Sequence, residues 1–314
     1  MSGDAALDVV IVAYRSRELL RECLGSLGAH PPACPMTVVV VDNASADGTP
    51  EMVASEFPEV DLIASTRNLG FAAATNLGAR RGHAPYLLAL NPDTAVTTGA
   101  LDTVISVLER HSEVGVVGPR LERADGSLDH AARRSFPTPL SALGHFSGLG
   151  RRAGAAGPLA AYRAPEVESG PVDAVNGAFM LMRRSLFEAA GGFDEDYWMY
   201  MEDLDLSYRL AQEGWRSWYE PAATVMHVKG GTVSGERSPR LNWHFHRGMY
   251  LFYRHHYAPH HSGAFNAVVY GGIAAKLASA VAQAALRRSL ARLRQRRRTA
   301  LHSDGGLPST SGDG

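Results

Sequence analysis

Five short apolar runs, most of them containing β-branched residues, DVVIVAY (8–14), TVVVVD (37–42), DLIAS (61–65), PYLLALN (85–91) and VGVVG (114–118), alternate with stretches whose apolar residues recur at helical spacing. No other feature limits the fold so tightly. A strand that is apolar on both sides must be covered on both faces, which is the condition of a strand inside a parallel sheet. The intervening segments RELLRECLGSL, GTPEMVASEF, AAATNLGARRG and GALDTVISVLERH supply the crossover helices. The alternation predicts an α/β fold, a doubly wound and mostly parallel sheet flanked by helices, with ligands received at the carboxyl ends of the strands.

Regularity stops between Leu121 and Pro171, a Gly-, Ala-, Pro- and Arg-rich stretch of the length that binding loops and lids have. Order returns with VDAVNGAFMLMRR (172–184), read as one strand, then a short helix, a helix over 202–212 closed by Gly214, and a strand near 217–227. Residues 1–260 are therefore assigned to one domain with two halves, over about 1–120 and about 170–260. Residues 261–300 read as a basic helical extension and 301–314 as a disordered tail.

The formal charge of -1 gives no support to a bulk polyelectrolyte role, and no nucleic-acid partner is expected. Charge is uneven locally: RRSLARLRQRRR (287–298) holds seven arginines and no acid. The preceding apolar run, 263–286, is diluted by Asn266, Lys276 and Gln283, which makes a poor transmembrane helix. Two readings stand, an amphipathic anchor on an anionic membrane surface or a helix packed on the domain. The two cysteines, Cys23 and Cys34, suggest neither a disulfide framework nor a zinc site. With no basic leader before the first strand, a cytoplasmic protein is expected, peripheral on the inner face of the membrane if the anchor operates.

Several groups stand where chemistry belongs. Asp42 and Asn43 end the second strand, placed for a nucleoside; the alternative is that they organise the turn while Ser45 or Asp47 caps the next helix. Asn68, Gly70 and Phe71 form a glycine turn into a helix, an arrangement that holds a diphosphate. Asn91-Pro92-Asp93 ends the fourth strand with a carboxylate suited to a hard divalent cation, the alternative being an Asx-turn. His227 precedes a glycine-rich loop. The segment 193–206 packs six carboxylates and four aromatics into fourteen residues, a density suggesting a working site over a solvated loop. Arg133 and Arg134 are read as a solvent-exposed pair, with contact to a pyrophosphate as the alternative.

Taken in this order, Asn-Leu-Gly-Phe (68–71), Asn-Pro-Asp (91–93) and Trp-Met-Tyr-Met-Glu-Asp-Leu-Asp (198–205) resemble the inverting GT-A glycosyltransferases of family 2. The Arg-Arg-Ser-Phe-Pro segment (133–137) and the arginine-rich tail narrow the likeness to the rhamnosyltransferase branch, which uses dTDP-rhamnose and a polyprenyl-diphosphate-linked sugar. The resemblance implies that Ala13, Tyr14, Asp42 and Asn43 hold the nucleoside, and that Asn68, Gly70, Phe71, Asn76, Asn91 and Asp93 shape the rest of the donor site. It implies Mg²⁺ or Mn²⁺ on Asp93 and His227, Asp203 as catalytic base beside Glu202, and Asn176, Gly177, Trp198 and Tyr200 at the acceptor. Asp194, Glu195 and Asp196 are left as turn and surface residues, and Asp205 as a stabiliser of the helix N-terminus. Asn91 departs from the family's Asp-x-Asp, and the Gln-x-x-Arg-Trp of processive synthases is missing, which favours addition of a single sugar. Alternatives are a UDP-sugar donor, a sugar-1-phosphate nucleotidyltransferase, disfavoured by Ala13-Tyr14-Arg15-Ser16 after the first strand, and a non-catalytic sugar-nucleotide-binding protein.

Overall fold

The computed structural model describes residues 6–137, 168–228 and 238–303, with side chains up to residue 285. The predicted alternation is realised: β1 (Leu7–Ala13), α1 (Arg17–Ala29), β2 (Met36–Asp42), α2 (Thr49–Glu56), β3 (Asp61–Ala64), α3 (Phe71–Ala79), β4 (Tyr86–Leu90), β5 (Thr94–Val96), α4 (Ala100–Arg110) and β6 (Val114–Glu122). The later half adds β7 (Arg133–Arg134), β8 (Gly170–Val172), β9 (Ala174–Val175), β10 (Phe179–Arg183), α5 (Arg184–Ala189), α6 (Glu202–Gln212), β11 (Arg216–His227), α7 (Pro239–His256) and α8 (Gly263–Ser303).

Among the described residues one sheet runs in the order β3-β2-β1-β4-β10-β6-β11-β5, with β8 paired to β11. Strands β1 to β4 are mutually parallel, and β11 is parallel to β6, while β10 lies antiparallel between β4 and β6. Every residue of β1 is buried, as a central strand requires. Its side chains alternate: Val9 and Ile11 join α1 and α4 on one face, whereas Val10 and Val12 join α3, Phe187 of α5 and Leu206 of α6 on the other. The helices exist to cover those two apolar faces.

The stretch read as a single strand over 172–184 is three strands. Asn176 breaks it, because its Oδ1 accepts from Ala178 N at 2.8 Å and turns the chain between β9 and β10. Gly214 sits after α6 with φ +89° and donates to Ala211 O, as a C-terminal cap does. The segment Gly263–Ala285 of α8 is long and apolar enough to cross a membrane, with mean hydropathy 1.3 and 11% of its window buried. It packs on α7 through Val269 and Ile273 against Tyr253. Residues 301–303 of the expected tail continue α8, while 304–314, the glycine-rich loop after His227 and most of the irregular stretch after Phe136 lie outside the described residues.

Candidate active site

Parallel strands deliver the chemistry to one edge of the sheet. Ala13 ends β1 and Tyr14 follows it, 38% exposed; Asp42 ends β2, 3% exposed. Asp42 Oδ2 accepts from Ser45 N at 3.2 Å, and its buried Oδ1 meets no partner among the described residues. Asn43 serves the neighbouring turn: its amide donates to Gly70 O at 3.0 Å and its oxygen accepts from Leu69 N at 2.7 Å. Asp47 takes the amide and hydroxyl of Thr49 at the start of α2. The turn reading therefore holds for Asn43 and Asp47.

The glycine turn is bolted to the acidic-aromatic segment. Gly70 has φ +86°, and a Cβ there would stand 2.2 Å from Trp198 O, so only glycine permits the contact. Asn68 Oδ1 accepts from Gly70 N at 2.9 Å, and Phe71 N donates to Trp198 O at 2.8 Å. Asn76 has a different post from the one the resemblance implied. Its amide donates to Phe193 O at 2.8 Å and to Glu195 at 3.1 Å, and its oxygen accepts from Phe193 N at 3.0 Å, so the side chain pins a loop away from the cavity described next.

A cavity of about 470 Å³ opens here, walled by Phe71, Asn91, Tyr200, Glu202, Asp203 and His227, among others. The chain enters α6 through Tyr200 and Met201, both in the left-handed region with φ 72° and 76°. Such backbone is costly for bulky residues, and it turns the first two acids of the helix inward. Asp203 accepts from Gly177 N at 2.8 Å, Leu204 N at 2.7 Å and the Arg134 guanidinium. Gly177 makes room, since a Cβ there would lie 2.9 Å from Asp203 Oδ2. Glu202 is 6% exposed, and its Oε2 has no partner among the described residues. Burial, reinforced by the charge of Asp203, pushes its pKa up to about 8.

Arg133 and Arg134 are not the solvent-exposed pair expected. Arg133 is 8% exposed, with its guanidinium 4.9 Å from the Tyr219 ring centre, and Arg134 also donates to Val175 O at 3.0 Å. Sequence gave no sign of the Arg134–Asp203 pair, whose members are 69 residues apart. Tyr200 lines the cavity beside Phe245, ring centres 5.8 Å apart. Trp198 stands outside the lining, stacked on His244 at 4.3 Å with Arg240 over it at 4.7 Å. Asn176 and Gly177 are in the wall, although the Asn176 amide also donates to Ala131 O at 3.1 Å.

The acids of the segment divide further. Asp205 lies in the first turn of α6, where it was assigned, and is also a buried hub: its oxygens meet His256 Nε2 at 2.7 Å, Tyr197 Oη at 3.3 Å and Arg209 Nε at 2.8 Å. Burial raises its pKa, but bonds to His256 and Arg209 outweigh that and hold it below the usual carboxylate range.

Among the described residues two groups have the donor atoms for a cation. Asp194, Asp205 and His255 gather within 4.8 Å, but the Asp205 oxygens are already engaged by Arg209 and His256. At the sheet edge, antiparallel pairing sets His227 opposite Thr94 and therefore beside Asp93. His227 Nε2 lies 3.5 Å from Asp93 Oδ1, and Nδ1 lies 3.4 Å from Asp129 Oδ2. Ligands at about 2.1 Å from one octahedral ion stand roughly 3 Å apart, so this oxygen and nitrogen fit a shared Mg²⁺ or Mn²⁺ with modest adjustment. Asp129, 1% exposed, is a residue that sequence reading missed; it occupies the place of a carboxylate that orients a ligating imidazole. Burial draws the His227 pKa down, but Asp129 and Asp93 outweigh it and lift it to about 9.

A larger groove of about 990 Å³ opens at the opposite ends of the strands, near Thr37, Glu59 and His83. The buried carboxylate there, Asp8, is tied to Arg184 at 2.6 Å, and Glu59, Asp61 and His83 are exposed at its lip, whereas the buried acids Glu202 and Asp203, the buried His227 and the carboxyl ends of the strands are at the smaller cavity. Volume is a poorer guide here than chemistry.

Comparison with known proteins bears on the same elements. The model of glycosyl transferase family 2 matches residues 8–190. Over 274 residues the chain is 34% identical to N-acetylglucosaminyl-diphospho-decaprenol L-rhamnosyltransferase of Mycobacterium tuberculosis, covering 83% of this chain and 87% of that protein. The mannosyltransferase PcManGT of Pyrobaculum calidifontis, solved with GDP-Man and Mn²⁺, has TM-score 0.56 at 19% identity over 93% of this chain and 81% of that one. TarS of S. aureus, residues 1–349 with UDP-GlcNAc, has TM-score 0.55 at 16% identity, over 84% and 70%. The strand order and the matched span lead to one conclusion: the chain belongs to glycosyl transferase family 2 and is a glycosyltransferase of GT-A fold.

Proposed function

We propose that this glycosyltransferase is inverting and metal-dependent, and adds a single L-rhamnose from dTDP-rhamnose to a polyprenyl-diphosphate-linked sugar in cell-envelope polysaccharide synthesis. The observation that carries the reaction type is one cavity wall holding Glu202, Asp203 and His227, with Asp93 directly behind the histidine. The sugar and acceptor rest on likeness to the mycobacterial rhamnosyltransferase. The enzyme is placed in the cytoplasm, with α8 lying on the inner membrane surface, and residues 1–260 as its catalytic domain.

Ala13, Tyr14, Asp42 and Asn43 line the strand ends for the nucleoside, and the Asn68–Phe71 turn presents backbone to the diphosphate. Asp93 and His227 would hold the divalent ion, which when bound would neutralise charge on the leaving diphosphate. Asp203 accepts the proton of the acceptor hydroxyl, while Arg134 and two backbone N–H groups orient its carboxylate. Tyr200, Asn176 and Gly177 form the acceptor wall. A second assignment of the base has its own support: Glu202 Oε2 meets no described partner, and a carboxylate with pKa about 8 is matched to proton transfer near neutral pH.

Transfer from a panel of nucleotide sugars to a short-chain polyprenyl-diphosphate sugar, with Mn²⁺ and with chelator, tests the whole. Rhamnose transfer that chelator abolishes is the expected result. Turnover with UDP-sugars and none with dTDP-rhamnose would overturn the donor assignment.

A further inference from the structure

The chain is electrically divided. Residues 237–303 contain twelve of the 31 lysines and arginines and none of the 32 acids. Arg240, Trp243, Arg247, Tyr250 and Arg254 of α7 follow at spacings of three and four, which places them on one face of the helix. That face looks outward: Trp243 is 49% exposed and Tyr250 36%, while Leu251, Phe252 and Tyr253 turn into the protein. The stripe alternates cation and ring, with Arg247 5.8 Å from the Trp243 ring centre and Arg254 5.6 Å from that of Tyr250.

Folding does not require such a stripe. Rings with polar edges set among arginines suit the boundary between headgroups and acyl chains, where indole and phenol enter and guanidinium stays with phosphate. A basic protein partner's site would carry acids, and a protein-binding hot spot would enclose its aromatics; this stripe is cationic, open and linear. It meets α8 at Tyr270, whose ring centre is 5.0 Å from that of Tyr250, and the same helix exposes Val268 (59%) and Val281 (43%).

We infer that the Arg240–Arg254 face of α7 is a second membrane-docking surface, laid on an anionic bilayer and acting together with α8. The inference deepens, and rests on, the lipid-linked acceptor proposed above. Phe245 of the same helix lines the catalytic cavity, and Arg240 covers Trp198, two residues before Tyr200 of the cavity wall. A bilayer on the stripe therefore lies within a few turns of the cavity mouth, where a membrane-held diphosphate must present its sugar.

Co-sedimentation of the full chain with vesicles of phosphatidylglycerol and phosphatidylcholine, against phosphatidylcholine alone, tests it. The wild type binds the anionic vesicles. R254Q weakens that binding about fivefold, the effect of one arginine at such a surface. W243S/Y250S weakens it on the order of tenfold by removing inserted ring area. Brominated anionic lipid quenches Trp243 fluorescence in the otherwise unaltered protein, read by difference from W243F. Wild-type binding by W243S/Y250S, an unquenched Trp243, equal binding to neutral vesicles, or capture of RNA in preference to vesicles would each overturn the inference. Both surface variants keep wild-type transfer to a short-chain, detergent-dissolved acceptor. Absence of that transfer in the wild type would defeat the functional reading while leaving the vesicle result standing.

Discussion

Asp203→Asn separates catalysis from binding at a position where the geometry sets both costs. The carboxylate faces three donors, Gly177 N, Leu204 N and the Arg134 guanidinium. An amide has one oxygen to offer them, so its NH₂ must meet a donor, and one bond to a charged group, worth about 1.5 to 3 kcal/mol, is lost. The variant should therefore unfold at lower urea concentration than the wild type, by an amount of that order. Removing a general base costs roughly 10²–10⁴-fold in rate, or about 3 to 5 kcal/mol of transition-state stabilisation. Donor affinity should hold, because Asp93 and His227 are untouched. Calorimetric titration of the donor with Mn²⁺ reads the binding, and single-turnover transfer reads the chemistry. Near-normal turnover by Asp203→Asn at unchanged donor affinity refutes the assignment, and a parallel collapse in Glu202→Gln would move the base one residue back.

Glu202 makes the protein sensitive to alkali in a definite window. Its folded pKa of about 8 exceeds the ordinary 4.5, so the native state holds a proton that the unfolded chain releases. Stability contributed by this group is present below pH 4.5 and lost as pH rises to 8; urea midpoints should show that slope, and Glu202→Gln should flatten it. Gly70→Ala forces a Cβ to 2.2 Å from Trp198 O at φ +86°, and a thermal melt should show a loss of about 1 to 3 kcal/mol together with weakened donor binding. His227→Ala leaves Asp93 without its nitrogen partner. The Mn²⁺ concentration for half-maximal transfer should rise on the order of tenfold or more, and an unchanged value would exclude His227 from the metal site.

Local rules made much of this legible. Short apolar runs marked β1 to β4 and β6, and the bounds of α6 came from its acidic start and Gly214, because strand burial and helix capping are written in neighbouring residues. The sheet-edge meeting of Asp93 and His227 came only through resemblance, since 134 positions separate them and pairing of β5 with β11 unites them. Arg134 and Asp129 were illegible for the same reason: each acts through a partner distant in sequence and sits in a stretch without periodic pattern. Asn76 misled because an amide at the right position in a motif says nothing of which way it faces.

Strand β10 enters the sheet out of sequence order, antiparallel between β4 and β6. The two halves assigned from sequence are therefore interlocked, and a fragment ending near residue 120 would hold β4 and β6 with no strand between them. Synthesis must proceed past Arg183 before the central sheet can close. Until then two apolar strand edges stand open to other nascent chains, and rapid delivery of β10 is a condition for escaping aggregation.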